Sequence, residues 1–172
     1  AMTIRGIGMA AAELKDDAGW DKARYDALFA ALRVEAEKIE HPPSYAIALT
    51  YIAMAQAFAG DNSGAWATAA AMENDALRHK AYGETAEIQA EHGDAAAAMQ
   101  SIGYIESEAY RNKAYSTVSK ILADRAFYEE AFQAAQRIKN AYKQAQSILY
   151  VMDKKRHDEL TLKLKSKEQA LD

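Results

Sequence analysis

The sequence predicts an all-α fold of about nine helices, arranged as antiparallel hairpins in one domain of 172 residues. Three observations carry this expectation. Alanine, the strongest helix former, fills 39 positions, against 2 Pro and 8 Gly. No run of β-branched residues is long enough to build a sheet. The third observation is a recurrence of landmarks at one fixed spacing. Gly60–Asp61 returns as Gly93–Asp94, and Ala65 returns as Ala98 and Ala131. Met72 is matched by Ile105 and Ile138, and Asn74 by Ser107 and Asn140. Arg78-x-Lys80-Ala81-Tyr82 returns as Arg111-x-Lys113-Ala114-Tyr115.

Each element follows from local signals. Thr3 to Asp16 reads as a first helix, ended by Gly19. Asp21 caps a second helix from Lys22 to Glu40, which Pro42–Pro43 stops. Ser44 caps a third, running to Ala59, and Gly60 ends it in a left-handed turn. Asp61 or Asn62 starts a helix to Glu73, and Asn74 or Asp75 caps a longer one to Glu91 or His92. Gly93 breaks that helix, and Asp94 caps the next, to Glu106. Ser107 starts a helix to Asp124, with Glu108 in its favourable acidic first turn. Ala126 stands where the next turn glycine is due; a helix from Phe127 to Lys139 follows, and Asn140 opens the last. The chain thus divides into an atypical N-terminal hairpin (1–43), three 33-residue units (44–140), and a C-terminal capping helix with a basic tail (141–172). Alanines at repeated phases, Ala53, Ala57, Ala65, Ala86, Ala90, Ala98, Ala123 and Ala131, are expected where helices cross closely.

A helix pair recurring at this period, with Gly-Asp at the turn and Ala five residues after the Gly, resembles the tetratricopeptide repeat, whose own period is about 34 residues. The likeness covers 44–140. It departs from the family pattern at three places. The aromatic of the first helix is Leu49 in one unit, though Tyr82 and Tyr115 in the others; the usual glycine of that helix is Ala53, Ala86 or Ser119; and the closing proline is missing. The resemblance implies a right-handed superhelical stack that holds a protein or peptide in a concave groove formed by the first helices. By that similarity the groove carries Ile47, Thr50, Met54 and Phe58 from one unit. The next supplies Lys80, Gly83, Glu87 and Glu91, and the third Lys113, Ser116, Lys120 and Asp124. Lys80 and Lys113 share a register and are suited to receive a carboxylate.

The bulk chemistry narrows the rest. With no Cys, disulfides and Cys-ligated zinc are excluded. A net charge of −4 argues against a nucleic-acid partner. No apolar run reaches the roughly eighteen residues of a membrane span; the cytoplasm is the expected compartment, with a natural leader and a periplasmic location as the alternative. The four histidines, His41, His79, His92 and His157, form no metal-binding motif. There is no phosphate loop and no nucleophile elbow, so neither catalysis nor a cofactor is expected. Between 154 and 167 six basic residues face only Asp158 and Glu159, with Leu160, Leu162 and Leu164 alternating among them. This tail reads as a solvated cap, with contact to a membrane surface or an acidic partner as the alternative. The expected function is a noncatalytic protein- or peptide-binding scaffold. The alternatives are a bacterial secretion-type chaperone, similar in size and acidity, and a homotypic assembly module using Ile4, Ile7, Met9, Leu14, Trp20, Trp66 and Phe127.

Overall fold

A computed structural model describes residues 1–17 and 19–170. Among these residues the chain forms nine α-helices and no strand: α1 (Met2–Leu14), α2 (Lys22–Glu37), α3 (Pro42–Phe58), α4 (Asn62–Ala70), α5 (Asp75–Glu91), α6 (Ala95–Gly103), α7 (Glu108–Asp124), α8 (Tyr128–Gln136) and α9 (Ala141–Gln169). The odd-numbered helices pack side by side in succession. Helices α4, α6 and α8 each lie against the long helix before them and the one after, and α2 covers α1 and α3.

The turns explain the recurrence. In the first, the Gly60 N–H donates to the Ala57 carbonyl and the Asp61 N–H to that of Gln56, at 2.9 and 2.8 Å. Gly93 and Asp94 repeat this on Ala90 and Gln89, and Ala126 and Phe127 repeat it on Ala123 and Leu122. This is the Schellman closure, which needs a left-handed residue. Gly60 and Gly93 have φ of 77° and 79°, and Ala126 is held at 65° despite its Cβ. A left-handed L-residue costs about 1–2 kcal/mol, and removing its Cβ returns about 0.4–1 kcal/mol of freedom to the unfolded chain. Ala126→Gly is therefore expected to raise stability by about 0.5–1 kcal/mol. Gly93→Ala is expected to lower it, because the new Cβ would also stand 3.1 Å from the Phe127 ring. Urea denaturation of the two variants checks both signs.

Helix ends differ from expectation in two ways. Pro42 and Pro43 begin α3 rather than stopping α2, which already ends at Glu37. The first turn of a helix has unused N–H groups, so proline is tolerated there. The short helices stop before the ends that the sequence pattern suggests. Met72, Ile105 and Ile138 fall in the connections instead, each at most 3% exposed, as plugs between the layers. Each plug's carbonyl is held by the long helix that follows. Arg78 donates to Met72 at 2.9 Å, Arg111 to Ile105 at 2.6 Å, and Gln144 to Ile138 at 3.0 Å. The recurring arginine is thereby a structural residue.

The core lies between the layers. All eight phase-repeated alanines are at most 1% exposed, as close helix crossings require. A buried polar pair, which the sequence reading missed, also recurs: Thr68 donates to Gln56 at 2.7 Å and Ser101 to Gln89 at 2.6 Å. Ser101 accepts from the Trp66 indole at 2.7 Å, and Gln89 donates to Asn62 at 2.8 Å, fastening one hairpin to the next. In the third hairpin these positions are Leu122 and Ala134.

Helix α9 exceeds its counterparts. Helices α3, α5 and α7 each have 17 residues and α9 has 29. Where Gly60, Gly93 and Ala126 turn the chain, α9 carries Glu159, which continues the helix.

Candidate functional site

The long helices place their outward side chains in aligned rows, because α5 and α7 start at equivalent caps one repeat apart. Asn74 caps α5 by accepting the Leu77 N–H at 3.0 Å, and Ser107 occupies the equivalent place on α7. Lys80, Gly83 and Glu87 therefore lie opposite Lys113, Ser116 and Lys120.

Between α5 and α7 is a cleft of about 380 Å³, lined by His79, Lys80, Gly83, Glu84 and Glu87 on one side and Tyr110, Lys113 and Ala114 on the other. Four of the residues expected from sequence, Lys80, Gly83, Glu87 and Lys113, are brought together here. The floor at Gly83 is open, since nothing lies within 4 Å of where a Cβ would stand. Lys80 lies 3.6 Å from Glu84 one turn on, while Lys113 forms no ion pair among the described residues. His79 is 6% exposed, and its Nε2 has no hydrogen-bond partner among the described residues. Its ring rests against Tyr110 with centroids 5.5 Å apart. Buried polar nitrogens are normally satisfied, and this one, in a residue of the cleft wall, is an exception.

Glu87 shapes the electrostatics. Burial holds its carboxyl above the ordinary value, repulsion from Glu84 and Glu91 adds to the rise, and Lys113 opposes it. A carboxyl with a raised folded pKa binds its proton more readily when folded, so its ionisation destabilises the fold as pH rises through that pKa. Glu87→Gln is expected to be more stable than the parent chain at pH 7. The advantage should vanish below about pH 4, where the carboxyl is protonated folded and unfolded alike. Thermal unfolding of both chains from pH 3 to 8 measures this.

A smaller cleft of about 160 Å³ lies between α7 and α9, lined by Ser116, Lys120, Gln146, Ser147 and Tyr150. The Ser116 and Ser147 hydroxyls are 3.0 Å apart, and the Lys120 ammonium sits 5.1 Å from the centre of the Tyr150 ring. Tyr150 donates to Asp124, and this bond raises the phenol to about 12.

The α3 residues line neither cleft. Ile47 and Phe58 are exposed and Met54 half-buried, and the Phe58 ring meets His92 edge-on at 4.9 Å. Thr50 is buried, with its hydroxyl donating to the Ala46 carbonyl at 3.0 Å, because α1 packs along α3. Glu91 and Asp124 are exposed at the far ends of their helices. His79, Glu84 and Tyr110 are cleft residues that the sequence reading did not assign. A histidine outside any metal motif gives no signal of its own, and only its register one residue before Lys80 was legible.

Of the apolar residues considered for self-association, Ile4 is buried, and Met9, Trp20, Trp66 and Phe127 pack against the core. Ile7 and Leu14 remain exposed on α1. Among the described residues no group of three or more His, Asp or Glu side chains is placed to hold a metal ion, and no helix is long and apolar enough to cross a membrane. No protein-family model, curated protein or solved structure matches the chain.

Proposed function

We propose that the chain is a noncatalytic, tetratricopeptide-like scaffold that binds a protein or peptide along the face formed by α3, α5, α7 and α9. In this reading the hairpins stack as a right-handed superhelix with that face concave, and the two clefts are successive subsites of one groove. The observation that carries it is the α5–α7 cleft. It combines an unsatisfied buried imidazole with two lysines in register and an aromatic wall at Tyr110. Lysine ammoniums receive a carboxylate, His79 offers one directional hydrogen bond, and Tyr110 supplies apolar area that anchors a side chain. The charges are spread along two helices rather than converging on one reacting atom, which favours recognition over catalysis. A secretion-type chaperone is one form of the same reading, with an unfolded client as the peptide.

Capture from the native extract, followed by mass spectrometry, tests this. One partner is expected to return reproducibly, and Lys80→Glu with Lys113→Glu is expected to weaken it by at least about tenfold through charge reversal. No reproducible partner, or full retention by the double variant, would remove the groove model. A second reading, self-association, is favoured by exposed Met2, Ile7 and Leu14 on α1. Light scattering that shows a mass rising with concentration, and falling on Ile7→Asp, would support it.

A further inference from the structure

Helix α9 presents a face that its counterparts keep covered. At the register of Ala53, Ala86 and Ser119, each 0% exposed beneath α4, α6 and α8, stands Met152, 53% exposed. Arg156 occupies the place of buried Ala57, Ala90 and Ala123, and Lys155 that of Gln56, Gln89 and Leu122. Ile148 is half-buried where Leu49, Tyr82 and Tyr115 are covered. This face lies beside the one that α9 packs onto the rest of the fold, where Ser147 and Val151 are buried and Asp158 accepts from Tyr128 and Lys154. It is also turned away from the groove residues Gln146 and Tyr150.

We propose that this face of α9 docks an acidic amphipathic helix of a partner protein, seated as α4, α6 and α8 are seated on α3, α5 and α7. Two features choose this occupant. The first is charge. Lys155 and Arg156 adjoin Ile148 and Met152, and Lys163 continues the same side of the helix, against one acidic side chain there, Glu159. A second copy pairing α9 with α9 would bring like charges together. A lipid surface needs one continuous apolar helix face, whereas the side of α9 that carries exposed Leu149, Leu160 and Leu164 is interrupted by Asp153, Arg156 and Lys167. The second feature is the side-chain type. Alanine in α3, α5 and α7 fixes one permanent close crossing, but Met152 and Arg156 are long and adaptable. Both residue types are enriched where a surface engages a separate partner.

The test uses the full chain and a labelled, capped helix of three Glu-Ala-Leu-Ala-Ala-Glu-Leu repeats, with a lysine-for-glutamate version as control. Fluorescence anisotropy is expected to show the acidic helix binding at least about tenfold more tightly than the basic one. Arg156→Glu with Lys163→Glu, which alters only exposed side chains and is checked for unchanged helicity by circular dichroism, should abolish that preference. Lys80→Glu with Lys113→Glu should leave it intact, which separates this face from the groove. Equal affinity for the two helices overturns the proposal. So does an acidic-helix affinity lost through Lys80 and Lys113 instead, self-association of the parent chain that Arg156→Glu removes, or binding to phosphatidylserine vesicles that the acidic helix does not displace.

Discussion

Thr68→Ala is expected to destabilise the chain by about 1–3 kcal/mol, and adding Gln56→Leu to recover most of that loss. Thr68 is 0% exposed and Gln56 6%, so removing the hydroxyl strands a buried amide oxygen that water cannot reach. Gln56→Leu alone has the mirror defect, since it leaves the Thr68 hydroxyl without its acceptor. Removing both partners leaves apolar side chains at both places, and the equivalent residues of the third hairpin, Leu122 and Ala134, are already apolar and fully buried. The double-mutant cycle therefore has an internal precedent within the same chain. Urea denaturation of the four chains gives the coupling energy. Additive losses would show that the pair is not an isolated unit and that Gln56 is held by other contacts.

Ala98→Leu is the second large effect. Ala98 is 0% exposed on α6, in a core filled at close helix crossings, and Ala65 and Ala131 stand at the same register on α4 and α8. The added carbons have no void to enter. The crossing must open, at a cost of about 1–3 kcal/mol. Because each hairpin repeats the geometry, Ala65→Leu and Ala131→Leu should cost similar amounts. The denaturation midpoint should fall while its slope is unchanged, since the unfolded chain exposes the same surface. A loss confined to one of the three positions would mean that the crossings differ, and that the repeat phase does not carry equivalent packing.

The helical class and the pairing of helices were legible because they rest on local chemistry. Gly60 and Gly93 can adopt a left-handed turn, Asp61 and Asp94 can cap, and alanine tolerates close approach. The third turn was less marked because Ala126 adopts the same conformation under strain imposed by its neighbours, which no propensity reveals. Helix ends misled where a residue's fate is tertiary. Met72, Ile105 and Ile138 continue the apolar pattern of the short helices, yet the fold withdraws them into connections to plug the layers. Pro42–Pro43 is expected to stop α2, yet proline also fits the first turn of a helix, and there it starts α3. The cleft was partly legible, since Lys80 and Lys113 share a register. His79 was not, because its burial depends on Tyr110, which belongs to another helix. Thr50 shows the reverse case: its register marks it for the groove, and the packing of α1 along α3 takes it out of reach.

The most direct measurement is amide hydrogen exchange on the chain with and without its captured partner. Slowed exchange is expected in peptides spanning His79 to Glu87 on α5 and Tyr110 to Lys120 on α7, with α4, α6 and α8 unchanged. Protection confined to the short helices, or no change on α5 and α7 in a complex shown to be saturated, would contradict the groove as the binding site.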